Sequence, residues 1–212
     1  MLAGTIGPPL LAKLGEEDML TSRLVGWGAV GGMAAGVAWA LSGVVAFVFP
    51  GEGPGPIGST SSYLIESAHG IATVGMLAWL VGLNARQAPR YGRLGTASFA
   101  AAFVGTALVL LSILLVLVSG DRLGESVLTA IFGSGTLLGW LVGFALLGVA
   151  TFRAKILPRW YGLLITAQFP LVFGAASSYD VGGTLFGLFW LVLGYVLWTW
   201  RDMTAEQPSH VS

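Results

Sequence analysis

Long apolar runs fill most of this sequence and limit what the chain can fold into. A helix needs about 20 mainly apolar residues to span the hydrocarbon core of a bilayer. Six runs come close to that length or exceed it, at residues 24–48, 62–83, 94–118, 126–152, 160–176 and 181–200. They predict an all-α, polytopic integral membrane protein with six transmembrane helices in one bundle at 24–200. We expect a cytoplasmic N-terminal segment at 1–23 and a disordered cytoplasmic tail at 201–212.

The composition agrees with a chain that folds in lipid. Charged residues make up only 9% of the chain, whereas a soluble domain normally carries about 25%. Mean hydropathy is +0.83. The formal net charge is zero, so membrane lipid is the expected surrounding and no nucleic-acid partner is indicated. The sequence has no cysteine, which excludes disulfides, thiolate metal sites and a cysteine nucleophile.

Basic residues lie almost entirely on one side of the predicted membrane. Arg122 is the exception, in the turn between the third and fourth runs. The other basic residues all fall on the opposite side: Lys13, Arg23, Arg86, Arg90, Arg93, Arg153, Lys155, Arg159 and Arg201. By the positive-inside rule that side is the cytoplasm. We therefore predict a multi-pass protein of the cell membrane with both termini cytoplasmic, which requires an even number of spans.

Two segments that follow the second and fourth runs are similar to each other. Residues 85–97 and 154–167 both read Ala-basic-x-x-Pro-Arg and then Tyr-Gly, with one residue inserted in the second copy. The similarity predicts two parallel helical-hairpin repeats, formed by helices 2-3 and 4-5. The alternative is that any cytoplasmic hairpin favours proline, arginine and an interfacial aromatic residue.

Glycines recur every four residues on two of the predicted helices. One ladder is Gly28, Gly32 and Gly36, and the other is Gly135, Gly139 and Gly143. Residues four apart share a helix face, so each ladder forms a groove that another backbone can enter. We expect at least one ladder to pack inside the bundle. The other use is a homo-oligomer or a partner subunit bound through either ladder.

The second run carries ionisable side chains, which are costly in a membrane and therefore indicate a function. Glu66, His69, Thr73 and Met76 are spaced by three or four residues, so they form one stripe on a helix. Lipid cannot solvate this stripe, so we expect it to line an outward-facing polar cavity about one turn below the outer surface. Other residues expected to line or close the cavity are Ser112, Ser134, Thr136, Gln168, Tyr179 and Asp180.

Several roles fit this stripe. We expect a non-enzymatic protein that binds or passes a small or amphipathic molecule in the cavity, or that serves as an accessory membrane subunit. A proton-coupled or pH-sensing role is an alternative, because histidine titrates at about pH 6.5. A purely structural pairing of Glu66 with His69 is another.

The last alternative is a membrane enzyme, or a metal or haem protein, that uses Glu66 and His69. Glu-x-x-His does bind metals on bundle helices, but such sites repeat the motif on a second helix. The other histidine, His210, lies in the predicted tail, so no metal-ligating or catalytic residue is assigned and the cofactor stays open. The sequence contains no nucleophile elbow, HExxH motif or phosphate loop.

Overall fold

The described part of the chain is all-helical. The structure, a computed structural model, describes residues 8–49, 59–119, 125–175 and 179–200, and none of these lies in a strand. The helices are α1 (Pro8–Val48), α2 (Thr60–Ser119), α3 (Glu125–Gly135), a π-helix (Thr136–Gly143), α4 (Phe144–Ala154), α5 (Arg159–Ala175) and α6 (Tyr179–Thr199). The predicted all-α class is therefore confirmed.

Four of the described segments are long and apolar enough to cross a membrane. They are Met19–Val48, Thr60–Ser119, Val127–Ala154 and Val181–Thr199. Large apolar side chains project from them into the surroundings, and Phe47 and Val118 are 72% and 86% exposed. Acyl chains accommodate such a surface, whereas in water it would promote aggregation. The chain is thus a multi-pass helical membrane protein.

The helix α2 is broken near its middle and folds back on itself. Its 60 residues would extend for about 90 Å if straight, three times the hydrocarbon thickness. The break lies at Gly92, whose φ of 61° and ψ of −166° are not helical, and Pro89 precedes it. A Cβ on Gly70 would lie 3.6 Å from Cγ2 of Ile113. Because these residues lie almost equally far from Gly92 in sequence, the segments 60–91 and 93–119 run antiparallel.

The first glycine ladder packs α1 against two neighbours. A Cβ on Gly28 would lie 2.6 Å from Cα of Gly82, which belongs to α2. A Cβ on Gly32 would lie 3.0 Å from Cα of Gly194, which belongs to α6. Gly36 also abuts α6. Since no side chain separates these backbones, α1 is held closely between the first part of α2 and α6.

The second ladder packs the other half of the bundle. A Cβ on Gly135 would lie 2.7 Å from the carbonyl oxygen of Gly105, and one on Gly139 would lie 2.7 Å from its Cα. Gly143 abuts Ala102 in the same way. The expectation that at least one ladder packs inside the chain is confirmed, and both in fact do so. An oligomer or a partner subunit stays a prediction.

The helix predicted at 126–152 is not uniform. The structure divides it into α3, the π-helix at Thr136–Gly143 and α4. A π-helix has a wider turn than an α-helix, so it changes which side chains face inward, and such segments occur frequently at functional sites. Here the inward-facing residues of the π-helix are Gly139, Trp140 and Gly143. Hydrophobic periodicity alone did not reveal this change of helix type.

Aromatic rings fill the centre of the bundle. Trp79 of α2 and Trp190 of α6 are fully buried, and their rings meet edge to face with centroids 5.0 Å apart. Phe144 of α4 lies 5.8 Å from Trp190 and 6.3 Å from Trp79, measured between ring centroids. Edge-to-face and stacked pairs of this kind add to the energy of apolar burial. This aromatic core separates the Glu66 end of the bundle from the arginine-rich end.

Candidate functional site

Glu66 and His69 are both buried inside the bundle. Their residues are 7% and 4% exposed. Oε2 of Glu66 lies 3.9 Å from Nδ1 of His69, one helical turn away. This distance is longer than that of a formed hydrogen bond, so the contact is a close approach of two polar groups and not a hydrogen bond. Lipid therefore does not surround either group, in agreement with the physical argument drawn from the sequence.

The rest of the predicted stripe continues inward from this pair. The hydroxyl of Thr73 donates a hydrogen bond of 2.7 Å to the carbonyl oxygen of His69, on its own helix. Thr73 and Met76 are fully buried, and Met76 belongs to the apolar core that also contains Trp79. The Thr73 hydroxyl thus donates to the backbone of its own helix, and Met76 packs in the apolar core on the inner side of the ionisable pair. Whether these residues bind a ligand stays a prediction.

Aromatic side chains from three other elements form a cluster that contacts His69 through Trp39, and sequence patterns did not indicate them. The ring of Trp39 on α1 lies 4.4 Å from the His69 ring, measured between centroids. Phe186 on α6 and Trp140 on the π-helix lie 4.9 Å and 6.1 Å from Trp39. All three aromatic residues are buried. We call Glu66, His69, Trp39, Trp140 and Phe186 the outer site, from its predicted place near the outer surface.

The outer site contains one carboxylate and hydrogen-bond donors. Within the described residues, the ion-pair contact of Glu66 is with His69, and no lysine or arginine lies within 4.0 Å of it. Nε1 of Trp39 is buried without a hydrogen-bond partner among the residues that the structure describes. An unpaired polar atom and a carboxylate that lacks a permanent cation are both costly when buried. A cationic or hydrogen-bonding partner would offset both costs.

The described residues do not form a metal centre. No group of three or more histidine, aspartate or glutamate side chains capable of holding a metal ion occurs among them. Glu66 and His69 would supply only two ligands, fewer than the three or four protein ligands usual for zinc.

Other predicted cavity residues have different positions. Ser112 is buried, but its hydroxyl donates to the carbonyl oxygen of Val109 at 2.7 Å. Ser134 is exposed on α3, so its place in the cavity stays a prediction. Thr136 begins the π-helix, and its hydroxyl is buried without a partner among the described residues. Of Ser112, Ser134 and Thr136, Thr136 is thus the residue whose buried hydroxyl can still form a hydrogen bond.

Three predicted site residues have side chains that lie outside the described part of the structure. They are Gln168, Tyr179 and Asp180. Their backbones are helical: Gln168 lies within α5, and Tyr179 and Asp180 begin α6, which therefore starts before the predicted run at 181–200. Their predicted part in the outer site stays a prediction.

Comparison with known proteins adds no family to this picture. No family model, curated protein or solved structure matches the chain significantly. Functional inference therefore depends on the site itself.

Proposed function

We propose that the outer site binds a small or amphipathic molecule that carries a cationic group, and that the protein binds or passes this molecule at the outer face of the cell membrane. The observation that supports this most is the buried Glu66 carboxylate, which lacks a lysine or arginine partner among the described residues. Burying a carboxylate is unfavourable unless a cation or several donors accompany it. A cationic ligand supplies that charge, and the protein needs no metal for it.

The aromatic residues support the choice of a cation over an anion. The indole and phenyl faces of Trp39, Trp140 and Phe186 lie within 6.1 Å of one another by ring centroid. Aromatic faces carry partial negative charge and attract organic cations, most strongly when water is excluded. The same faces accept the apolar part of an amphipathic molecule. An anion would instead meet the Glu66 carboxylate and the negative faces of the rings.

A binding experiment with matched probes tests this proposal. The purified protein is titrated with benzyltrimethylammonium and with neopentylbenzene, its uncharged analogue, and its tryptophan fluorescence and melting temperature are measured. We expect the cation to bind and Glu66→Gln to weaken this binding by at least about tenfold. Ser67→Ala is the control, because Ser67 is the next residue in sequence and is exposed on the outside of α2.

The outcomes of this titration separate the competing roles. If neither probe binds the native protein and Glu66→Gln only lowers the melting temperature, the pair is structural and the proposal fails. If the uncharged probe binds as well as the cation, the site is apolar and Glu66 has another role. Uptake of the cation into proteoliposomes then distinguishes passage across the membrane from binding alone.

We propose further that the bundle at 24–200 contains six spans, with both termini cytoplasmic. The break at Gly92 and the approach of Gly70 to Ile113 support two antiparallel spans within α2. The segment α5 has 17 residues, about enough for a short span. The two hairpins, 60–119 and 125–175, then enter the membrane from the same side, which supports the parallel repeat. Single cysteines placed in the cysteine-free chain report on which side each turn and terminus lies.

A further inference from the structure

A second group of buried polar side chains lies at the other end of α2. Gln87 and Thr151 are fully buried, and Tyr91 is 7% exposed. Within the described residues, both amide atoms of Gln87, the Tyr91 hydroxyl and the Thr151 hydroxyl have no hydrogen-bond partner. We call these three residues the inner cluster. Gln87 follows Glu66 by 21 residues, so the two lie about 30 Å apart along the helix, close to the thickness of the hydrocarbon core.

Tyr91 is the residue that links the other two members of the inner cluster. Gln87 and Tyr91 are four residues apart, so they share a face of α2 just before its break at Gly92. The Tyr91 phenol lies near the Thr151 hydroxyl of α4, but the two groups do not meet the geometry of a formed hydrogen bond. Tyr91 also packs over Gly95, where a Cβ would overlap it. The phenol thus lies near the Thr151 hydroxyl, on the helix face that Tyr91 shares with Gln87.

The second of the two similar segments, 154–167, contains a buried tyrosine whose hydroxyl is hydrogen-bonded within the protein. Tyr161 occupies the position equivalent to Tyr91 in the Tyr-Gly pair. Its hydroxyl donates to the carbonyl oxygen of Leu193 at 2.8 Å and accepts from Nε1 of Trp79 at 3.1 Å. The Tyr161 hydroxyl therefore has both a donor and an acceptor within the protein. The hydroxyls of Tyr91 and Thr151 and the amide of Gln87 have none among the described residues.

The side chains of the inner cluster are uncharged. The Gln87 amide offers donors and an acceptor, and each hydroxyl can act as either. The guanidinium of Arg86, the residue before Gln87, donates to the carbonyl oxygen of Trp200 at 2.7 Å, at the end of α6. The other described cations of this end are exposed to the surroundings: Arg90, Arg93, Arg153, Lys155 and Arg159. A guest held by the inner cluster itself therefore needs hydroxyl groups and not a charge.

We propose that the inner cluster is a second binding site, which takes an uncharged hydroxyl-bearing guest from the arginine-rich side of the bundle. Water and a small polyol such as glycerol share this chemistry. A guest that bridges the amide and the two hydroxyls removes the cost of leaving four polar atoms unpaired in the bundle interior. This site is separate from the outer site, so either proposal can fail without the other.

Substitution by apolar side chains of similar shape distinguishes an occupied site from an unpaired one. If a guest is bound, Gln87→Met and Thr151→Val remove its partners and each lowers the melting temperature in detergent by a few degrees. The two effects are not additive in the double variant, because the guest couples the two side chains. If the polar atoms are unpaired, both substitutions remove a desolvation cost and raise the melting temperature, which overturns the proposal.

Thiol chemistry gives a second readout that does not depend on stability. Thr151→Cys creates the single thiol of a chain that has none. The control is Ser98→Cys, because Ser98 is also fully buried but its hydroxyl donates to the carbonyl oxygen of Gly95 at 3.0 Å. We expect methyl methanethiosulfonate to modify Thr151→Cys at least tenfold faster than Ser98→Cys. Equal rates at the two positions overturn the proposal.

Competition identifies the guest. If glycerol slows the modification of Thr151→Cys and not of Ser98→Cys, the guest is a polyol. If glycerol changes neither rate while Thr151→Cys still reacts faster, the guest is water. If inorganic phosphate protects Thr151→Cys instead, the site binds an anion and the assignment of an uncharged guest is wrong.

Discussion

Nε1 of Trp79 donates a hydrogen bond of 3.1 Å to the hydroxyl of Tyr161. That hydroxyl in turn donates to the carbonyl oxygen of Leu193 at 2.8 Å. All three residues are fully buried, so the chain of bonds joins α2, α5 and α6 in the interior. It satisfies the indole and the phenol together and fixes the short helix α5 against its neighbours.

Tyr161→Phe is expected to destabilise the protein. The variant keeps the ring but leaves the Trp79 indole without its acceptor, at a cost of about 1–3 kcal/mol. Thermal unfolding in detergent measures the change. The control is Tyr195→Phe, because Tyr195 is 61% exposed on α6, and it should be nearly neutral. If both variants melt at the same temperature, the buried bonds do not contribute to stability.

Gly105→Ala is expected to destabilise the bundle more than an alanine at an open glycine. Gly105 faces the backbones of Gly135 and Gly139, so a methyl group forces the helices apart, at a cost of about 1–3 kcal/mol. Gly133 on α3 has nothing within 4 Å of a built Cβ. Gly133→Ala should therefore stabilise its helix by up to about 1 kcal/mol. Melting temperatures that change in the same direction for both variants would contradict this packing.

Sequence patterns predicted the helices and the buried pair because both follow from strong physical constraints. Apolar runs of membrane length have few alternatives to helices, since lipid leaves backbone groups no other partner. Glu66 and His69 could be placed in the interior for the same reason. The glycine ladders also predicted close packing, but not which helix each ladder would meet.

The surroundings of the pair could not be predicted in the same way. Trp39 lies well inside its helix, but a tryptophan in an apolar run fits a lipid-facing position as well as a buried one. Trp140 faces inward within the π-helix, which an α-helical period does not describe. Gln87 lies beyond the second predicted run at 62–83, in a segment that reads as a turn. These residues depend on tertiary contacts that one sequence does not encode locally.

Gly92→Ala is expected to destabilise the protein although there is room for the methyl group. A Cβ on Gly92 meets nothing within 4 Å, but its φ of 61° and ψ of −166° belong to a region that is almost restricted to glycine. The strain costs about 1–3 kcal/mol. Lys155 has a φ of 54° and a ψ of 24° at the end of α4. Lys155→Gly should therefore stabilise the protein slightly, by up to about 1 kcal/mol.

The comparison of these two positions separates backbone strain from packing. Thermal unfolding of both variants is measured under the same detergent conditions. An unchanged melting temperature for Gly92→Ala would mean that the turn adopts another backbone conformation. A destabilised Lys155→Gly would mean that the lysine side chain contributes more than its left-handed conformation costs.

A disulfide across the two parts of α2 tests the folded-back helix directly. We expect Gly70→Cys/Ile113→Cys to oxidise readily, because a Cβ on Gly70 lies 3.6 Å from Cγ2 of Ile113. The two Cβ atoms are therefore at most about 5 Å apart, close to the separation of about 3.5–4.5 Å that disulfides join. An unbroken helix would instead separate these residues by about 65 Å. Mass spectrometry of the oxidised monomer measures the bond without interference, since the native chain has no cysteine. Gly70→Cys/Leu111→Cys is the control, because Leu111 is 45% exposed, and a reduced Gly70→Cys/Ile113→Cys pair would contradict the antiparallel arrangement of 60–91 and 93–119.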